Sequence, residues 1–223
     1  MPALPVPPLL VITDRRRAAG PLEGVVAAAL RGGCRWLSLR EKDLPRAEQV
    51  ALLARLLALA RPLDARVTVH GDPAVAAEAG ADGVHLPSGT PPTGARRLLG
   101  AGALIGVSAH TLGEAEAAGR AGADYVTLSP VFPSASKPGY GPPLGREGLA
   151  AAAGRLDVPI VALGGITAAN AAGCLAAGAA GVAVQGAVMA AADPEAAAAR
   201  LVAALERPAR AIGHTARPTM RRR

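Results

Sequence analysis

The sequence predicts an α/β fold, a single (β/α)8 barrel domain, and three observations carry that prediction. Eight short apolar runs recur at residues 9–13, 36–39, 66–69, 83–86, 104–108, 125–128, 159–163 and 181–184. Segments of helical composition lie between them, at 45–60, 112–120, 168–176 and 194–205. A Gly that ends a helix and leads into a strand recurs at Gly32-Gly33-Cys34-Arg35-Trp36, Gly80-Ala81-Asp82-Gly83, Gly122-Ala123-Asp124-Tyr125 and Gly178-Ala179-Ala180-Gly181. These copies are spaced by two βα units, which makes them strands two, four, six and eight. Eight parallel strands with short connections close most simply into a barrel. The alternative is a doubly wound open sheet, but no Gly-x-Gly-x-x-Gly follows the first strand.

Each run hands over to a group of polar residues. The first ends on Thr13 and Asp14, the second on Arg40, Glu41, Lys42 and Asp43, and the third on His70, Gly71 and Asp72. The fourth runs through His85 to Ser88, the fifth through Ser108 to His110, and the sixth into Ser129 and the stretch up to Lys137. The seventh ends on Gly164-Gly165-Ile166-Thr167 and the eighth on Gln185-Gly186-Ala187. In (β/α)8 barrels, functional residues gather at these C-terminal strand ends.

A length of 223 residues suits one such barrel, which we place at 1–206, with a basic and disordered tail at 207–223. Hydrophobic residues make up 51% of the chain and aromatic residues 2%, so the core must come from Ala, Val, Leu and Ile. The formal charge of +7 would suggest nucleic acid if it were spread over the surface, but Arg207, Arg210, Arg217, Arg221, Arg222 and Arg223 all follow the last acid, Glu206. The barrel itself is nearly neutral and offers no aromatic platform for stacking bases, so nucleic-acid binding is not expected. Neither a signal peptide nor an apolar stretch long enough to span a bilayer is legible, so no membrane role is expected either. Cys34 and Cys174 form no disulfide framework or metal-ligand pattern, as befits a reducing cytoplasm. Helix faces rich in Ala and Leu would suit a homodimer.

Lys42 and Lys137 are the two lysines of the chain, and both fall on the strand-end face. A compact ammonium on a flexible stem suits an anion there, although two residues can also coincide by chance. The Gly164-Gly165 turn, expected to open the seventh helix, and Gln185-Gly186 after strand eight occupy the two loops that often build a phosphate site in barrels. A Gly-Gly turn also serves tight geometry without any ligand. Of the histidines, His110 is best placed for acid/base chemistry, His70 could line the mouth, His85 could be structural or chemical, and His214 lies in the tail.

Several segments together resemble one family across residues 9–206. They are Leu39-Arg40-Glu41-Lys42-Asp43, Ala81-Asp82-Gly83-Val84-His85-Leu86, Gly106-Val107-Ser108-Ala109-His110-Thr111, Ala123-Asp124-Tyr125-Val126, Pro130-Val131-Phe132-Pro133-Ser134-Ala135-Ser136-Lys137 and Ala162-Leu163-Gly164-Gly165-Ile166-Thr167. In this order they are similar to the thiamine phosphate synthase and TenI superfamily, whose fold is a TIM barrel. The resemblance implies that synthases of the family join a pyrimidine pyrophosphate to a thiazole phosphate and hold Mg²⁺ through an Asn-Asp pair after strand three and an Asp after strand four. His70, Gly71 and Thr90 stand at those positions here, and Ser38 replaces a Gln that faces the pyrimidine.

The missing carboxylates make the chain look closest to the TenI-type thiazole tautomerase branch. On that expectation the substrate is a thiazole phosphate, His110 moves the proton, and no metal or other cofactor is needed. Arg40, Lys42, His70, Ser108, Ser134, Ser136, Lys137, Gly164, Gly165, Gln185 and Gly186 would bind the substrate. The alternatives are a Mg²⁺-dependent thiamine phosphate synthase and a catalytically silent thiazole or thiamine phosphate-binding regulator.

Overall fold

The computed structural model describes residues 2–133 and 142–206. Eight parallel strands close in sequence order into a barrel. They are β1 (Leu9–Ile12), β2 (Trp36–Leu39), β3 (Arg66–His70), β4 (Gly83–Leu86), β5 (Leu104–Ala109), β6 (Tyr125–Leu128), β7 (Ile160–Leu163) and β8 (Gly181–Val184). Around them lie α1 (Leu22–Arg31), α2 (Arg46–Ala60), α3 (Pro73–Ala79), α4 (Thr93–Leu99), α5 (Leu112–Arg120), α6 (Gly145–Ala153) and α7 (Ala171–Ala176). A one-turn α8 (Gly186–Met189) and the long α9 (Pro194–Glu206) complete the ring. The predicted strands and the predicted barrel are both present.

The strands are buried on both faces because helices cover the outside and side chains fill the inside. Outward residues such as Val11, Leu37, Val67, Val84 and Val126 pack on Leu53, Leu56, Val75 and Ala115 of the helices. Inward residues Leu10, Ile12, Trp36, Leu104, Tyr125, Val161 and Ala183 form a separate plug. The sequence reading of an aliphatic core holds for the outer layer. The lower part of the plug instead uses two of the few aromatic residues, with Trp36 and Tyr125 meeting edge to face at 4.9 Å between ring centroids.

The Gly-Ala-Asp repeats have a mechanical reason. Asp82 accepts from the Val67 backbone N–H at 2.7 Å and donates its own N–H to the Val67 carbonyl, so it clamps the start of β3 beside β4. Asp124 does the same for Ile105 of β5, with its carboxylate 2.7 Å from Ile105 N, and Arg96 Nη2 donates to the same carboxylate oxygen at 2.6 Å. Each clamp satisfies a backbone donor at the barrel floor, where the sheet ladder begins. The tail expected at 207–223 lies outside the described residues. No helix among the described residues is long and apolar enough to cross a membrane.

Candidate active site

Strand alternation decides what reaches the mouth. The register pairs His70 with His85 and Ser108 with Thr127, and all four face the barrel interior near its C-terminal end. Arg40 and Lys42 follow β2, and Thr13 follows β1. The Thr13 hydroxyl, fully buried, accepts from the Arg40 N–H at 2.9 Å and donates to Glu41 Oε1 at 2.8 Å. Glu41 also accepts from the Arg15 N–H and guanidinium, and Asp43 is held by Arg15 and Arg16. The Arg15 hydrogen bond holds the Asp43 carboxyl well below the usual carboxylate range. This lattice fixes the loop that carries Arg40 and Lys42 and leaves both cations without an ion pair among the described residues. Burial, helped by the Arg40 charge, lowers the Lys42 ammonium from its ordinary value.

Across the mouth, Gly164 and Gly165 both have positive φ, at 97° and 63°. A Cβ on Gly165 would sit 2.5 Å from the Pro133 carbonyl oxygen, so only glycine lets the β7 loop pass under the β6 loop. The turn does not open α7 directly, as the sequence reading expected. Asn170 accepts from Thr167 N at 2.8 Å and donates to the Gly165 carbonyl at 2.9 Å, and this side-chain closure delays the helix until Ala171. Gln185 donates to the Thr13 carbonyl at 3.3 Å, joining the last strand to the first.

His110 follows β5. Its Nδ1 lies 3.0 Å from the Ser129 carbonyl, which assigns the proton to Nδ1. Its backbone N–H donates to Glu114, and Thr111 caps α5 by accepting from Glu114 N, a capping box shifted by one residue. Ser134, Ser136 and Lys137 lie outside the described residues. One neighbour of the site, Arg17, has no counterpart in the sequence reading, and a second, Ser38, is there only as a position that faces the pyrimidine in the family. Arg17 lies over the start of α8, with Nη2 3.4 Å from where a Gly186 Cβ would be. The Ser38 hydroxyl is buried in the barrel and has no hydrogen-bond partner among the described residues. Arg17 belongs to no motif and reaches α8 only when the barrel closes.

The donor set does not fit a magnesium ion. His70, Gly71 and Thr90 offer no carboxylate, and no group of three His, Cys, Asp or Glu side chains converges on a cation position among the described residues. The nearest acids are already engaged: Glu41 and Asp43 as above, Asp72 by capping α3 through Ala74 N at 2.8 Å, and Glu114 by His110 N.

Residues 9–188 match the family described as thiamine monophosphate synthase. The chain belongs to that family. A thiamine-phosphate synthase of Roseiflexus sp. is 45% identical over 198 residues, covering 87% of this chain and 84% of its own. A thiamine-phosphate synthase of Anaeromyxobacter dehalogenans is 43% identical over 222 residues, covering 95% of this chain and 100% of its own. The solved structure of the thiamine phosphate pyrophosphorylase from Pyrococcus furiosus superposes with a TM-score of 0.80 at 36% identity, over 89% of this chain and 95% of that one. These relatives overturn the tautomerase expectation. Identity to proteins named as synthases runs the length of the barrel, whereas the tautomerase reading rested on a few positions, chiefly 70, 71 and 90. As a member of the thiamine monophosphate synthase family, the chain is an enzyme of thiamine biosynthesis.

Proposed function

We propose that this protein is a thiamine-phosphate synthase, joining a pyrimidine pyrophosphate to a thiazole phosphate and releasing pyrophosphate. The observation that carries this reading is the 45% identity to a relative of that name across 87% of the chain. The chemistry of the mouth supports it. As the pyrimidine–oxygen bond breaks, negative charge collects on the departing pyrophosphate, and fixed cations beside it stabilise that charge without reorganising. Arg40 and Lys42 stand on a braced loop for this task, and Ser108 adds a hydroxyl. The thiazole phosphate would lie across the mouth, on Gly164, Gly165, Gln185 and Gly186. His110 takes a binding role here, with the imidazole oriented by the Ser129 carbonyl.

The absent carboxylates at residues 71 and 90 favour a second reading, a barrel that binds thiazole or thiamine phosphate without turnover. One experiment separates the two. Purified protein is incubated with both substrates, with Mg²⁺ and separately with chelator, and thiamine phosphate is measured by thiochrome fluorescence. Product formation is expected. Tight binding of thiazole phosphate with no product under either condition would replace the synthase reading with the second.

A further inference from the structure

A polar chain crosses the barrel interior beneath the mouth. Tyr125 Oη lies 3.0 Å from His85 Nδ1, and His85 Nε2 lies 3.0 Å from Ser108 Oγ and 3.2 Å from Thr127 Oγ1. Tyr125, His85 and Thr127 are buried, while Ser108 is half-buried and reaches the mouth. Room for the chain is made by Gly106 on β5. A Cβ there would sit 2.1 Å from Tyr125 Cζ and 2.5 Å from His85 Nδ1, so the two rings meet only because that position carries no side chain. A layer that needed only filling would be aliphatic, as the neighbouring Leu10, Val161 and Ala183 are. Here the sequence keeps four hydrogen-bonding groups together, each matched by another rather than buried without a partner.

Burial first, and the Arg40 charge second, push the His85 imidazole down to about 3, so it is neutral at physiological pH. A neutral imidazole offers one N–H and one lone pair. Two hydroxyls face Nε2. A lone pair there would serve one of them, whereas an N–H can be shared between both oxygens. With the proton on Nε2, Nδ1 is left with a lone pair, and the phenol O–H of Tyr125 facing it donates to that nitrogen.

We infer that His85 is a positioning residue, donating Nε2–H to Ser108 Oγ so that the serine proton points out of the barrel as a donor to a phosphate oxygen of the substrate. His85 acts through Ser108 and does not touch the substrate. The inference rests on the proposed function only in taking the mouth as the place of the phosphates.

Two measurements on the full-length protein test it. Imidazole ¹⁵N spectra should show His85 as the Nε2–H tautomer, unchanged between pH 5 and 8; an Nδ1–H tautomer, or titration near pH 6.5, overturns the inference. The second is a double-mutant cycle on calorimetric affinity for inorganic pyrophosphate. His85→Gln and Ser108→Ala should each weaken binding about tenfold, as loss of a hydrogen bond to a charged group does. The double variant should bind no more weakly than Ser108→Ala, because one residue acts through the other. Losses that multiply to about a hundredfold would mean that His85 serves packing alone, and wild-type protein that binds no pyrophosphate would also overturn the inference. If His85→Gln does not fold, the tautomer of His85 and its constancy between pH 5 and 8 in the wild-type protein decide the inference by themselves. Thiamine phosphate formation is followed on the same samples. Wild-type protein that makes none would sink the synthase reading while the tautomer and the pyrophosphate cycle still decide the role of His85.

Discussion

Thr13 and Glu41 are joined by a buried hydrogen bond of 2.8 Å that ties the end of β1 to the loop after β2. Glu41 is 4% exposed and also receives the Arg15 N–H at 3.0 Å and its guanidinium at 3.2 Å. Replacing Glu41 with Ala strands a buried hydroxyl and a backbone donor together. Hydrogen bonds to a charged acceptor contribute about 1.5–3 kcal/mol, so Glu41→Ala should lower stability by about 3 kcal/mol. Glu41→Gln keeps one acceptor and should lose about half as much. Urea unfolding of the two variants checks the ranking, and equal losses would show that acceptor count is not what matters here.

The cations braced by that bond should govern turnover. Arg40→Ala and Lys42→Ala each remove a positive charge from beside the departing pyrophosphate, and loss of one preorganised group of this kind costs about 10²–10³ in kcat. Their melting temperatures should stay close to wild type, because neither cation has an ion pair among the described residues. Steady-state kinetics of thiamine phosphate formation gives the answer. A rise in KM with kcat unchanged would assign them to uniform substrate binding instead.

Acid should weaken the fold through His85. In the unfolded chain this imidazole takes a proton near pH 6.5, but in the barrel it resists protonation until about pH 3. Between those values the unfolded chain holds the extra proton, so stability is full above pH 6.5 and falls as the pH drops toward 3. The slope for one proton is about 1.4 kcal/mol per pH unit. In the window from pH 6.5 to 5 the lowered carboxyls of Asp43, Glu23 and Glu114 contribute little, because they add their own losses only at lower pH. Denaturant unfolding across that window should give a clear slope for wild type and a flatter one for His85→Gln. Equal slopes would mean that His85 is protonated in the folded protein as easily as in the unfolded one.

The barrel was legible because each strand is an unbroken apolar run and each is closed by turn residues, a pattern that needs no long-range information. The strand-end rule then located Arg40, Lys42, His70, Ser108 and Gln185 without any contact being known. Other relationships depend on closure. Arg17 meets Gly186 because β1 pairs with β8, and the His85 chain exists because Gly106 leaves a gap between two other strands. No local pattern encodes such meetings. The choice between family branches went astray for a different reason. A few substituted positions, among them 70, 71 and 90, point away from the synthases, yet identity spread over whole βα units constrains ancestry far more than the loss of a few ligands.

Asp82 and Asp124 occupy equivalent places in the Gly-Ala-Asp repeat, and their difference in burial makes the last prediction. Both clamp a backbone N–H at 2.7 Å. Asp82 is exposed, so water can replace its carboxylate, and Asp82→Ala should cost about 1 kcal/mol. Asp124 is 2% exposed and pairs with Arg96, which also donates to the carbonyls of Gly100, Ala101 and Ala103. Asp124→Ala would leave a buried N–H without an acceptor and a partly buried guanidinium without its counter-charge, a loss of about 3–5 kcal/mol. Asp124→Asn keeps an acceptor for Ile105 and should fall between the two. Because neither residue reaches the mouth, kcat of the folded fraction should be unchanged in all three variants. Thermal unfolding and kinetics on the same preparations would refute the clamp model if Asp82→Ala and Asp124→Ala lost stability equally.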